Sequence, residues 1–427
     1  MKNLWHDLKE MRGFLLLWFT QLVSGMGSAM TAYALVIWSY TQTGSALRTA
    51  LLMVCSYAPY VVCSIFAGAL SDRWDKKKTM LVCDALAALS TCAVLALLET
   101  GGLRIWHLYI VNALSGLMNT FQQPASEVAT SALLKREYYQ KVGGLRYLSN
   151  SLNSILTPIL TTAVMSLWGI GTVIAIDLCS FGVAFVVLLL FIPIPESGKK
   201  GEKESILQSA AEGVRWLKGN PGIFHLMLFL AGINLVASMF NAALPAMILS
   251  KASQTALGTV NSVTGIAMLA GSLLASLLPA PRSRVKAVWY SLMLSMCTEN
   301  FFLAFGRNVW VWCFGAVLGW IALPWMSANL EAVNRLNIPM EIQGRVFAAR
   351  NSFQFFTIPV GYFLGGLLVD RVFEPVMAMQ APESLAVRLF GSGKGSGAAM
   401  LFAALWLAGI AVCLIFRADK HIWRLEE

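Results

Sequence analysis

Charge is scarce in this chain. Only 13% of its 427 residues are Asp, Glu, Lys or Arg, and acids are the scarcer kind, 22 against 32 basic side chains. A soluble domain carries about 25% charged residues to clothe its surface, so the composition excludes one. The 57% hydrophobic content and mean hydropathy of +0.66 agree. Histidine is rarer still: the four (6, 107, 225 and 421) lie at ends or tails without ligand spacing. The eight cysteines (55, 63, 83, 92, 179, 297, 313 and 413) sit inside apolar runs at no metal-binding interval and read as small packing residues. A phosphate loop is lacking too. "GSGKGSG" at 391–397 imitates one, but Arg388 stands where the first glycine belongs and Gly395 where Ser or Thr must follow the lysine. It reads as a flexible loop. No metal and no cofactor is expected.

Long apolar runs are what the chain has. A helix crosses the hydrocarbon core with about 20 mostly apolar residues, and in lipid it must satisfy its own backbone hydrogen bonds. Twelve runs meet that need, at 13–40, 46–70, 79–98, 107–133, 143–165, 170–194, 222–250, 256–279, 285–305, 309–333, 345–369 and 397–417. The expected class is therefore an all-α integral membrane protein with twelve transmembrane helices. The opening "MKNLWHDLKEMRG" leads into a run too long for a signal-peptide core, with no small-residue cleavage site, so the first run is expected to remain attached.

The formal net charge of +10 raises the question of nucleic acid, and the placement of the basic residues answers it. If the first link is external, the segments on the other side hold 23 Lys and Arg, the external ones seven, and Arg146 and Arg350 lie inside runs. That bias orients a membrane protein with both termini cytoplasmic, and implies no nucleic-acid partner. The Lys76–Lys78 run reads as a solvated loop that fixes this topology.

The longest internal polar stretch, 195–221, divides the runs six and six. After a loose "PESGKKGEKE" it becomes amphipathic, with Ile206, Leu207, Ala210, Val214 and Leu217 on one face, Ser205 and Gln208 as a capping box, and "GNP" at 219–221 as a stop. The expected organisation is a bundle over 1–194, a linker over 195–221 with its helix on the cytoplasmic membrane surface, and a bundle over 222–427. The bundles look like repeats. At an offset of 201, Gly143, Asn150, Ser151 and Pro158 recur as Gly344, Asn351, Ser352 and Pro359; at 204, Glu127 and Arg146 recur as Glu331 and Arg350. Two pseudo-symmetric six-helix bundles of parallel orientation would enclose a substrate site between them.

"GALSDRWDKKK", 68–78, resembles the loop motif between the second and third helices of the major facilitator superfamily. Gly68, Asp72, Arg73, Lys77 and Lys78 fit it, while Asp75 replaces the usual glycine. "IPMEIQGRVFAARNSF" and "PVGYFLGGLLVDRVFEP", within 338–375, are similar to the drug-antiporter branch that includes macrolide-efflux proteins. The resemblance implies the major facilitator fold, and that Asp72 bonds the N-terminus of the eleventh helix to hold an inner gate shut. Two departures bear on proton antiport: "TPILTT" at 157–162 replaces a glycine-rich pattern, and the fourth run lacks a mid-helix arginine. "GLLVDR", 366–371, copies "GALSDR" at the outer end of the eleventh run and is not expected to share the gating role.

A charge at mid-membrane costs about 2.5–3.5 kcal/mol, so the few present need partners or water. Glu127 with Arg146, and Glu331 with Arg350, are candidate ion pairs at the cytoplasmic mouth, either gating or permanently structural. Asp177 and Asp84 have no basic neighbour in sequence and are candidates for proton coupling or for buried hydrogen bonding; Asp84 lies near enough to the basic loop to pair with it. Gln21, Tyr33, Asn119, Gln123, Asn234 and Asn241 are candidate cavity residues, with Met26, Met30, Met239 and Met247 as adaptable apolar surface. Together these features point to a secondary transporter, not an enzyme: a multi-pass cell-membrane protein exporting small amphipathic organic molecules by proton antiport, expected to be monomeric. Two alternatives stay open, an exporter of one endogenous metabolite such as a siderophore or lipid-like compound, and a membrane sensor or scaffold that transports nothing.

Overall fold

The computed structural model describes residues 11–133, 139–193, 206–339 and 342–426. Every regular element among them is helical. Six long helices come first: α1 Arg12–Thr43, α2 Ala46–Arg73, α3 Lys76–Glu99, α4 Ile105–Ala132, α5 Tyr139–Trp168 and α6 Ile170–Phe191. The linker helix α7, Ile206–Gly219, precedes α8 Pro221–Lys251, α9 Gln254–Leu277, α10 Arg284–Phe305, α11 Val309–Trp320, α12 Leu323–Asn337 and α13 Gln343–Leu368. A π-helical turn, Val369–Phe373, continues α13 into α14, Glu374–Ala378; then come α15 Leu385–Phe390, α16 Ser396–Arg417 and α17 Lys420–Trp423.

Ten of these stretches are long and apolar enough to cross a membrane, α11 with α12 counting as one and the end of α13 through α14 as another. The other two long helices, α4 and α10, have 28 and 22 residues. At 1.5 Å per residue they reach about 42 and 33 Å, long enough to cross, but their polar residues dilute the apolar signal. Prolines 59, 124, 158, 245 and 359 lie inside helices, including the repeat-related pair Pro158 and Pro359. The tenth run, expected unbroken over 309–333, is interrupted at Ile321–Ala322. Pro324, near the start of α12, has no N–H to return to the preceding turn, so the ladder restarts there.

The lysine run is not a solvated loop. Asp75 caps α3 by accepting the Lys78 N–H at 2.8 Å, so Lys76–Lys78 form its first turn. Lys76 is buried with Nζ on the Trp74 carbonyl, and Lys77 Nζ donates to the Leu189 carbonyl at the end of α6.

The chain divides into two compact units, 1–35 with 55–203, and 36–54 with 204–427. In the first, Leu17, Met80, Ala125, Ala129, Leu188 and Ile192 bring α1, α3, α4 and α6 together, and Met30, Ala34 and Val173 anchor α1 to α6. In the second, α7 does not lie free. Its Leu217 is buried with Ile223, Met227, Ile338 and Val346, so the apolar face of the linker helix is seated on α8, α13 and the end of α12. The expected cap at Ser205 and the "PESGKKGEKE" stretch lie outside the described residues. The units share a packing device. A Cβ on Gly116 of α4 would stand 2.0 Å from the Ser56 carbonyl oxygen of α2, and one on Gly271 of α9 would stand 2.0 Å from that of Ile321. Among the described residues, each half thus has a crossing tight enough for backbone to meet backbone, which glycine alone permits.

Candidate functional site

In the first unit, Asp84 and Asp177 each accept a bond from α1. Asp84 of α3 accepts the Gln122 side-chain amide of α4 at 2.5 Å, and Gln21 of α1 bonds the same carboxyl. Asp177 of α6 is buried and accepts the Ser28 hydroxyl of α1 at 2.9 Å. Gly27 makes that approach possible: a Cβ there would meet Ser180 Oγ at 2.5 Å and the Asp177 Cα at 3.0 Å. Each carboxyl thus accepts a neutral donor from α1, and Asp84 accepts a second from α4. Of the polar cavity candidates, Gln21 joins this cluster, Asn119 and Gln123 are exposed on α4, and Tyr33 is half-buried on α1.

In the second unit the seam of α8 with α13 is stitched by polar groups around Pro359. The Asn234 amide donates to the Gln354 carbonyl at 3.2 Å, and Thr357 Oγ1 donates to the Ala231 carbonyl at 3.0 Å. Asn234 is therefore engaged between helices, whereas Asn241 is exposed with its amide on its own helix at Ala237. Glu331 accepts Arg335 Nε at 2.7 Å, one helical turn on, and its charge also acts on Arg350 of α13. The side chains of Gly68, Asp72, Arg73, Glu127 and Arg146 lie outside the described residues.

Three acids of the second unit were given no role from the sequence. Glu299 is buried in α10, packed against the backbone of α11 at Gly319. Its signal was an acid in the middle of an apolar run. Asp370, in the π-turn, accepts Ser45 Oγ at 2.5 Å and the Ala46 and Leu47 N–H groups at 2.9 and 3.0 Å. Glu374 accepts the N–H groups of Gly395 and Ala398 at the start of α16. The "GSGKGSG" loop thus serves backbone geometry: Gly391, Gly393 and Gly395 all take positive φ, at 85°, 77° and 90°.

Ten candidate membrane spans, two further long helices and acids bonded to neutral groups describe a transporter scaffold, and comparison with known proteins decides which. The Major Facilitator Superfamily model matches residues 17–240, just over half the chain. The chain belongs to that superfamily. This member is 26% identical over 368 residues to macrolide efflux protein A of Streptococcus pyogenes, covering 84% of this chain and 90% of that protein. It is 24% identical over 372 residues to the multidrug efflux pump Tap of Mycolicibacterium fortuitum, covering 83% and 89%. With the enterobactin exporter EntS of Citrobacter koseri it shares 24% over 299 residues, covering 66% and 65%. Among solved structures, the nucleoside transporter NupG superposes with a TM-score of 0.69 at 13% identity, over 95% of this chain and 99% of that one. A bacterial homologue of the iron transporter ferroportin in its inward-facing state gives 0.69 at 14%, over 96% and 99%. These two likenesses concern the fold alone. The superfamily member is a multi-pass membrane transporter and not an enzyme.

Proposed function

We propose that this transporter exports amphipathic organic compounds, drug-like or macrolide-like, by alternating access against inward proton flow, acting as a monomer with both termini in the cytoplasm. The observation that carries the reading is the likeness to macrolide efflux protein A along nearly the whole of both chains. Orientation rests on the 23-to-7 division of basic residues. Protons are the coupling ion on the chemistry of the first unit: Asp84 and Asp177 are bonded to amides and a hydroxyl, so either can gain or lose a proton without dismantling an ion pair. Asp72 and Arg73 with Lys77 and Lys78 form the inner gate on this reading, and Glu331 with Arg350, like Glu127 with Arg146, pair at its mouth. Gln21, Tyr33, Asn119, Gln123, Asn234 and Asn241, exposed or engaged as described, remain the cavity set.

Reconstituted vesicles test the reading. Movement of a cationic dye or a macrolide that collapses when a protonophore is added supports it. Movement that ignores the protonophore removes proton coupling, and tight binding without flux points instead to a sensor. The likeness to an enterobactin exporter favours a second reading, export of one large metabolite. A substrate panel in which one siderophore alone raises the melting temperature would select it.

A further inference from the structure

The second unit contains a piece of the first two helices. Residues 36–54, the hairpin formed by the end of α1 and the start of α2, group with 204–427, whereas 1–35 and 55–203 form the other unit. Asp370 ties the hairpin to the end of α13. Its carboxylate takes three donors at the open start of α2, Ser45 Oγ and the Ala46 and Leu47 amides, and Ser45 Oγ in turn accepts the Arg48 N–H. An anion at a helix N-terminus is favoured by the exposed amides and the helix dipole, and charge-assisted bonds are about twice as strong as neutral ones. Gly366 brings the backbones together, since a Cβ there would stand 2.6 Å from the Leu47 Cα and 3.1 Å from the Ala46 carbonyl oxygen. A second tie joins Tyr40 to Ser250 of α8 at 2.6 Å, with Lys394 Nζ 5.6 Å from the centre of the Tyr40 ring. Glu374, four residues after Asp370, bonds the start of α16 and so serves the second half alone. The π-turn between them is the kind of local widening that recurs at functional sites.

We propose that Asp370 is a releasable latch that closes the membrane face opposite the linker by capping α2, and that Glu374 is its permanent counterpart. A hairpin whose own helices continue into the other unit must part from α13 whenever that face opens. Charged hydrogen bonds to backbone amides suit the task, because water can replace them one for one. Apolar packing cannot be exchanged in that way. The latch would be the inverted counterpart of the inner gate that the family resemblance implies: in that reading Asp72 at the end of α2 serves the start of α13, and here an acid after α13 caps α2. This inference rests on the alternating-access reading for its meaning, but its test does not use transport.

The test is thiol labelling of the full-length protein in proteoliposomes, with Ala50→Cys, 3% exposed on α2, as reporter and a membrane-impermeant maleimide as probe. Rates are taken relative to the same variants without that cysteine. Asp370→Ala should raise the labelling rate on the order of tenfold, the size of a modest population shift, and Asp370→Asn, which keeps the side-chain shape, should give a smaller rise. Glu374→Gln should leave the rate where it was. Equal rates in the parent and both Asp370 variants overturn the latch, as does a rise in Glu374→Gln matching that of Asp370→Ala, which would indicate general loosening. If the parent moves no substrate yet labelling responds as expected, the transport reading fails and the latch stands.

Discussion

Asp177 shows how one carboxyl carries two roles that mutation can separate. It is buried, tied to Ser28 and overlaid by Gly27, so its shape matters to the packing of α1 on α6. Asp177→Asn keeps that shape and an oxygen for Ser28, and should change stability by less than about 1.5 kcal/mol. If the carboxyl carries the coupled proton, the same variant loses pH-driven transport while binding substrate as before; unchanged uptake under a pH gradient would remove Asp177 from coupling. Glu299 has no such second role in sight. Its methylenes fill the space opposite Gly319, so Glu299→Ala should cost about 2 kcal/mol or more, and Glu299→Gln, of equal volume, much less. Thermal unfolding of both variants in one detergent checks the ordering. Asp84 and Gln21 stood out in the sequence because polar groups in oil are conspicuous. That they meet, with Gln122 as the third member, depended on three helices converging.

Helix limits were readable to within a few residues for nearly every run, because the apolar stretch that must fill the bilayer ends where charge or glycine begins. What escaped was local backbone chemistry. The tenth run contains Pro324, yet its apolar continuity concealed the break between α11 and α12. The π-turn has no compositional signature, and it places the acid that copies an inner-gate motif at the start of α2. The glycine crossings at 116 and 271 were equally silent, since nothing in a chain of 34 glycines marks these two as meeting a carbonyl at 2.0 Å. Gly116→Ala and Gly271→Ala should each cost about 1–3 kcal/mol, because an added methyl meets backbone rather than a flexible side chain. Denaturation of each variant measures it. A loss at one site and none at the other would show that the repeats do not pack alike.

The linker helix joins the two units and belongs structurally to the second. Leu217→Asp would bury a charge in the cluster with Ile223, Met227, Ile338 and Val346, so α7 should detach. Amide exchange over 206–219 should then quicken about tenfold or more while α3 and α6 keep their protection. Parallel quickening throughout would mean that the linker holds the whole protein together. Orientation is open to a direct check. If the basic excess faces the cytoplasm, green fluorescent protein fused after Glu427 fluoresces and alkaline phosphatase fused there stays inactive.

Membrane class, the positions of the long helices and kinship with a transporter superfamily were legible without coordinates, because the bilayer imposes one-dimensional rules of length and apolarity. Pairings were not, because hydrogen bonds at membrane depth are made between helices far apart in the chain, and the same aspartate can cap a helix, carry a proton or do both. Asp370 and "GLLVDR" mark the boundary. The string of letters identified a copy of the gate motif, and only the fold supplied the helix start that this acid caps, 323–325 residues away.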